Sequence, residues 1–130
     1  MAKFSRSRQL GNMGEDVACR YLESKGYKVL ERNYLRFLGE IDIVAEKAGT
    51  VRFIEVKAIS RENPEDVTRE SNDYRPEEQV HPEKLRKLAL MGEMYMNEKG
   101  DDREYQIDVV GVYLNSNKGV AICRLFEQVL

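Results

Sequence analysis

Histidine and cysteine are scarce in this 130-residue chain, which has one His and two Cys. Cys19 and Cys123 lie far apart and match no metal-ligand spacing, and with His81 as the one further candidate they offer no structural zinc site. Both cysteines fall on apolar faces and read as small buried hydrophobes of a reducing cytosol. Long apolar runs are missing as well. Nothing approaches the ~20 residues that span a bilayer, and the polar start lacks a signal-peptide core. A cytoplasmic protein with no membrane association and no small-molecule cofactor is expected. An excess of positive charge is also absent: the net charge of −2 argues against coating nucleic acid by charge alone.

What is present is 42% hydrophobic and 34% charged residues, enough for one domain with a single core and a charge-rich surface. The charge is uneven. Residues 61–79 hold Glu62, Glu65, Asp66, Glu70, Asp73, Glu77 and Glu78 against Arg61, Arg69 and Arg75. That segment also has two prolines and almost no apolar residues, so it reads as a long mobile acidic loop. Basic clusters stand at Lys3-Arg6-Arg8 and Lys84-Arg86-Lys87.

Along the chain, residues 1–10 read as a loose basic arm. A helical pattern then runs from Asn12 to about Lys25, with Val17, Ala18, Tyr21 and Leu22 on one face and Gly26 as its stop. Asn12 would be its N-cap and Glu15 its third position. Tyr27–Tyr34 reads as a strand, and Arg36 falls in the turn after it. Two further strands, 39–45 and 51–57, form a hairpin. Pro82 opens an amphipathic helix to about Glu98, and 105–113 and 120–126 complete the strands. The result is an α/β single domain with a mixed central sheet flanked by two helices.

The hairpin carries the chemistry. Burying a charge costs several kcal/mol unless it is paired or binds a metal, yet these apolar strands contain Glu40, Asp42, Glu55 and Lys57. Side chains two apart in a strand share a face. If Glu46 pairs with Val51 across a four-residue loop 47–50, Asp42 stands opposite Glu55 and Glu40 opposite Lys57. Opposed Cβ atoms are about 5 Å apart, close enough for two carboxylates to share a cation. Ile41, Ile43, Ile54 and Val56 would then form one apolar surface on the other face, which favours this register. Asp42, Glu55 and the Val56 carbonyl are hard oxygen ligands suited to Mg²⁺, and Lys57 would orient water or offset charge in phosphodiester hydrolysis. Glu40 would make a structural ion pair with Lys57. Lys84 and Arg36 are the basic residues placed to meet a nucleic-acid backbone. Asp108 reads as structural.

Asp42 followed by Glu55-x-Lys57 resembles the PD-(D/E)xK nuclease signature. Its surroundings are more specific: Gly14-Glu15, Ala18, Tyr21-Leu22, Gly26-Tyr27, Asn33, Gly39-Glu40-Ile41-Asp42, 53–57 and Asp108-Val109-Val110. Together these resemble the YraN-like family of uncharacterised bacterial proteins, similar in fold to Holliday junction resolvases. The resemblance implies a restriction-endonuclease-like αβββαβ core and makes Asp42, Glu55 and Lys57 the matching catalytic positions, with Glu15 as a further acid near the metal. It also implies Mg²⁺ (or Mn²⁺ in its place), duplex or branched DNA as substrate, and a homodimer. Two rival readings stand beside the endonuclease. One is a non-catalytic nucleic-acid-binding or scaffold protein retaining the fold. The other is an interaction module whose acidic loop docks a basic partner.

Overall fold

The computed structural model describes residues 6–64, 80–115 and 117–130, with backbone alone for 6–8. The elements are α1 (Arg6–Ser24), β1 (Lys28–Arg36), β2 (Gly39–Lys47), β3 (Thr50–Ser60), α2 (Pro82–Lys99), β4 (Tyr105–Asn115) and β5 (Val120–Phe126). They form one five-stranded sheet in the order β1-β2-β3-β4-β5. Neighbours are antiparallel except β3 and β4, which run parallel. A parallel pair needs a crossover connection, and α2 lies in it. This is the restriction-endonuclease-like αβββαβ core with β5 added at the edge. Among the described residues no helix is long and apolar enough to cross a membrane.

Each helix covers one face of the sheet. On the α1 side, Ala18, Cys19 and Leu22 pack with Ile43, Ala45, Ile54, Val110 and Val112. On the α2 side, Leu88, Met91 and Tyr95 pack with Val44, Val51, Phe53 and Ile107. Two glycines set how closely the helices sit. A Cβ on Gly14 would stand 2.5 Å from the Ala58 Cβ, and one on Gly92 would stand 2.7 Å from the Phe53 ring. Both contacts press a helix onto β3, the strand at the centre of the sheet.

Several boundaries differ from the sequence expectation. The first helix begins at Arg6, so Asn12 is interior and is not an N-cap. Leu10, partly buried against the α1-side core, extends the apolar stripe by a turn and explains the earlier start. Of the expected basic arm, residues 1–5 lie outside the described residues. So does most of the expected acidic loop, 65–79, together with Ser116 of the turn before β5. Arg36 is the last residue of β1 rather than a turn residue. The β2–β3 loop is also tighter than expected. Lys47 pairs with Thr50, and Ala48 and Gly49 alone make the turn with φ of 52° and 78°, the doubly left-handed geometry that matches strand twist. At the far end of α2, left-handed Gly100 donates to Asn97 and closes the helix.

Candidate active site at a fork in the sheet

The expected register is present: Glu46 pairs with Val51 and Ile43 with Ile54. The β2–β3 ladder stops there, one step short of Asp42 and Glu55. Beyond it β2 continues along β1 as far as Arg36–Gly39, while β3 continues along β4 as far as Ser60–Leu114. The sheet therefore forks. At the crotch, the Val56 amide that ladder pairing would have satisfied donates to Asp42 Oδ2 at 2.8 Å. Asp42 thus caps the opening with its side chain.

A fork leaves a passage that both helices can reach. From the α1 side comes Glu15, whose carboxylate lies with those of Glu40 and Asp42 so that one oxygen of each falls within 4.8 Å of the others. Asn33 holds two of the three. Its Nδ2 donates to Glu15 Oε1 at 2.8 Å and to Glu40 Oε1 at 2.6 Å. Asn33 has φ 54°, a left-handed conformation that Asn tolerates better than most residues. It sits between the ladder pairs Arg32–Ile43 and Tyr34–Ile41. Across this irregular position the surface expected of Ile41, Ile43, Ile54 and Val56 divides. Ile41 packs beneath α2, whereas Ile43, Ile54 and Val56 pack beneath α1.

From the α2 side comes Lys84, whose ammonium is in direct contact with Glu55 Oε1. Glu55 is 3% exposed, and Lys84 is the cation that pairs with it there. Burial works against the Lys84 ammonium, but its bond to Glu55 outweighs that and raises its pKa. Lys57, on the same face of β3 as Glu55, is half-buried and has no ion pair with a described residue.

Asp42 is the strained member. Burial, then the neighbouring Glu55 and Glu15 charges, push its pKa up to about 8, against the opposing pull of the Val56 amide and Lys84. No cation lies within ion-pair distance of it among the described residues. A crowded, largely buried carboxylate of this kind marks a functional site more often than a structural one.

Other sequence assignments fall elsewhere. The Glu40–Lys57 pair does not form, because the strands have parted before that position and Asn33 engages Glu40 instead. Arg36 is held by two bonds to Glu98 near the far end of α2, at 3.0 and 2.8 Å, and stacks 4.1 Å from the Tyr34 ring centroid. Val56 reaches the site through its amide. Lys84 meets Glu55 rather than standing free, a pairing that sequence reasoning missed because it joins residues from different elements. The Asn33 clamp was missed too, although Asn33 stands among the residues of the family resemblance; the physical signal for it was Asn, tolerant of left-handed φ, inside a strand pattern. A cleft of about 350 Å³ adjoins the acids, lined by Leu38, Gly39, Glu40 and the first turns of α2.

The model of the uncharacterised protein family UPF0102 matches residues 14–112. The chain belongs to that family. Among similar curated proteins are a UPF0102 protein of Caldicellulosiruptor saccharolyticus, 37% identical over 92% of this chain and 95% of the relative. Another is from Syntrophomonas wolfei, 38% identical over 86% of this chain and 90% of the relative. A third is UPF0102 protein Cj0148c of Campylobacter jejuni, 36% identical over 77% and 80% respectively. The UPF0102 match is the YraN-like resemblance read in the sequence. It extends from Gly14 at the start of the close-packed turn of α1 to Val112 in β4, and so takes in every residue at the fork.

Proposed function

We propose that this UPF0102 protein is a metal-dependent endonuclease that hydrolyses DNA phosphodiester bonds, with the fork between β2 and β3 as its active site. The observation that carries the reading is the convergence of Glu15, Glu40 and Asp42 on one point, with Glu55 beside them and Lys57 on the same strand. A set of closely spaced carboxylate oxygens fits a hard divalent cation such as Mg²⁺, with Mn²⁺ as its substitute. Asp42, Glu15 and Glu40 would hold it, with Glu55 and the Val56 carbonyl as further oxygen donors. A divalent ion there supplies Lewis-acid polarisation of the phosphate and a bound water of lowered pKa. The chain's own groups do the rest. Lys57 orients water toward phosphorus or offsets charge on the phosphate oxygens. Lys84, the ammonium beside Glu55, would meet the backbone phosphate. A homodimer would suit branched or repair intermediates, which present two strands for cutting.

The test is direct. Purified protein with Mg²⁺ or Mn²⁺ is incubated with labelled linear duplex, single-stranded and four-way-junction DNA. Cleavage is expected in at least one case and should be lost in Asp42→Asn and in Lys57→Gln. A chain that cuts none of these substrates is not the enzyme proposed. One observation favours the rival: Glu55 is already neutralised by Lys84, as expected of a nucleic-acid-binding scaffold that keeps the fold without the activity. Calorimetric titration with Mn²⁺ separates the two, since the scaffold would show no binding that depends on Asp42.

A further inference from the structure

The β1–β2 connection is a turn of two residues, Phe37 and Leu38, because Arg36 pairs with Gly39. Phe37 is 89% exposed at its tip, the most exposed of the large apolar side chains among the described residues. A phenyl ring presented to solvent on a tight, paired turn is open to a stacking partner. The next residue, Leu38, turns inward and forms one wall of the cleft, with Leu88 and Met91 opposite. The rim is mixed in charge, with Lys84 and Lys87 beside Glu83 and His81 on the α2 side, and its inner end is Glu40, a member of the carboxylate cluster. Lys87 has no ion pair among the described residues. An apolar slot whose rim offers the unpaired Lys87 ammonium complements a planar base attached to a phosphate. Its volume of about 350 Å³ lies within the range of small-molecule sites.

We propose that this cleft receives a base unstacked beside the phosphate held at the fork, and that Phe37 stacks on the neighbouring base as a wedge. The chain would then select DNA with unpaired nucleotides, either single strands or the splayed arms of a branch. The proposal rests on the nuclease reading for the identity of the polymer, but its geometry is separate from the cation. Exposed aromatic side chains hold successive bases without regard to sequence, and apolar wedges keep base steps apart. A base buried in a duplex cannot enter a side-wall slot without first leaving its stack.

The experiment is a fluorescence titration in EDTA, where no cleavage occurs, using oligonucleotides with 2-aminopurine in a single strand, a splayed-arm duplex and a fully paired duplex. The two unpaired forms are expected to bind at least tenfold tighter than the paired one, with altered 2-aminopurine emission. Phe37→Ala should weaken binding of the unpaired forms about tenfold while leaving the duplex unaffected. Lys87→Gln should weaken all three and lower the salt slope by about one phosphate. Leu90→Ala, at another exposed apolar position (53% exposed), should change nothing. Equal affinity for paired and unpaired DNA, or wild-type binding by Phe37→Ala, overturns the proposal. So does Phe37-dependent self-association without oligonucleotide binding, which would make this face a contact between copies. If Phe37-dependent binding appears but no DNA is ever cut, the slot stands and the nuclease reading falls.

Discussion

Two carboxylates set within the strands of the same sheet meet opposite fates. Asp108, fully buried on the α1 side, accepts the Gln128 amide and Gln106 Nε2, each at 2.8 Å, and Arg52 Nη1 at 3.4 Å. Glu127 and Tyr27 extend the network around Arg52. Asp42, partly buried at the fork, has a single amide donor at 2.8 Å and carboxylates for neighbours. Both sit within apolar strands, and composition alone does not separate them. What separates them is whether the surroundings neutralise the charge. The Asp108 carboxylate is satisfied and ties the C-terminal segment to β4, whereas Asp42 has no cation within ion-pair distance among the described residues.

The comparison breaks first on Asp108→Ala. Removing one partner of a buried ion pair leaves Arg52 charged and nearly buried, which costs about 3–5 kcal/mol. Urea denaturation should show a midpoint shift of that size with little change in slope. A loss below about 1 kcal/mol would mean that the Asp108 network is no more structural than an exposed pair. The next effect comes from the spacing that brings α1 to the fork. Gly14→Ala places a methyl 2.5 Å from the Ala58 Cβ, an overpacking that costs about 1–3 kcal/mol. Gly14→Ala combined with Ala58→Gly should recover part of the loss, because the clash is between those two atoms. If the double variant is as unstable as the sum of the singles, that contact is not the cause. Helix displacement should also move Glu15, so Mn²⁺ affinity should fall in the single variant by more than stability alone predicts.

Much of this was readable from the strands themselves. Alternation and the short loop placed Asp42 opposite Glu55, since a one-residue slip would have put the two acids on opposite faces. Asp108 was read as structural from its position between Ile107 and Val109, and its partners agree. The sequence could not reveal that the ladder ends at Ile43–Ile54 and opens into a fork, because strand divergence depends on which neighbour each strand keeps. For the same reason the Glu40–Lys57 pairing, correct for a continuous ladder, failed where the ladder was absent. The family resemblance implies Glu15 as an acid near the metal, while the residues alone suggest helix capping, because Asn12 looks like a start signal. The earlier start at Arg6 leaves Glu15 mid-helix, where its position is set by Gly14 resting on Ala58. Lys84 was legible as a cation near the acids, but not as the partner of Glu55.

The smallest expected effect is the most discriminating, because its sign is opposite to the others. The Asp42 pKa is raised from 3.8 to about 8 in the folded chain, by burial and then by Glu55 and Glu15. The folded state therefore keeps a proton that the unfolded state releases between those two values. Stability from this group is full below about pH 4, falls as pH rises through the window, and levels above about 8. Asp42→Asn keeps an oxygen to accept from Val56 and removes the charge. It should match wild type near pH 4 and exceed it at pH 8.5, by about 1–2 kcal/mol once coupling with Glu55 is discounted. Saturating Mn²⁺ should invert the order. At a hundred times the dissociation constant a ligand adds about 2.7 kcal/mol to a protein that binds it, and the Asn variant should gain little. Asp108→Ala, measured in parallel, should lose stability with or without the ion. A variant at Asp42 that is destabilising at pH 8.5 and indifferent to Mn²⁺ would place both carboxylates in one class, as parts of the scaffold.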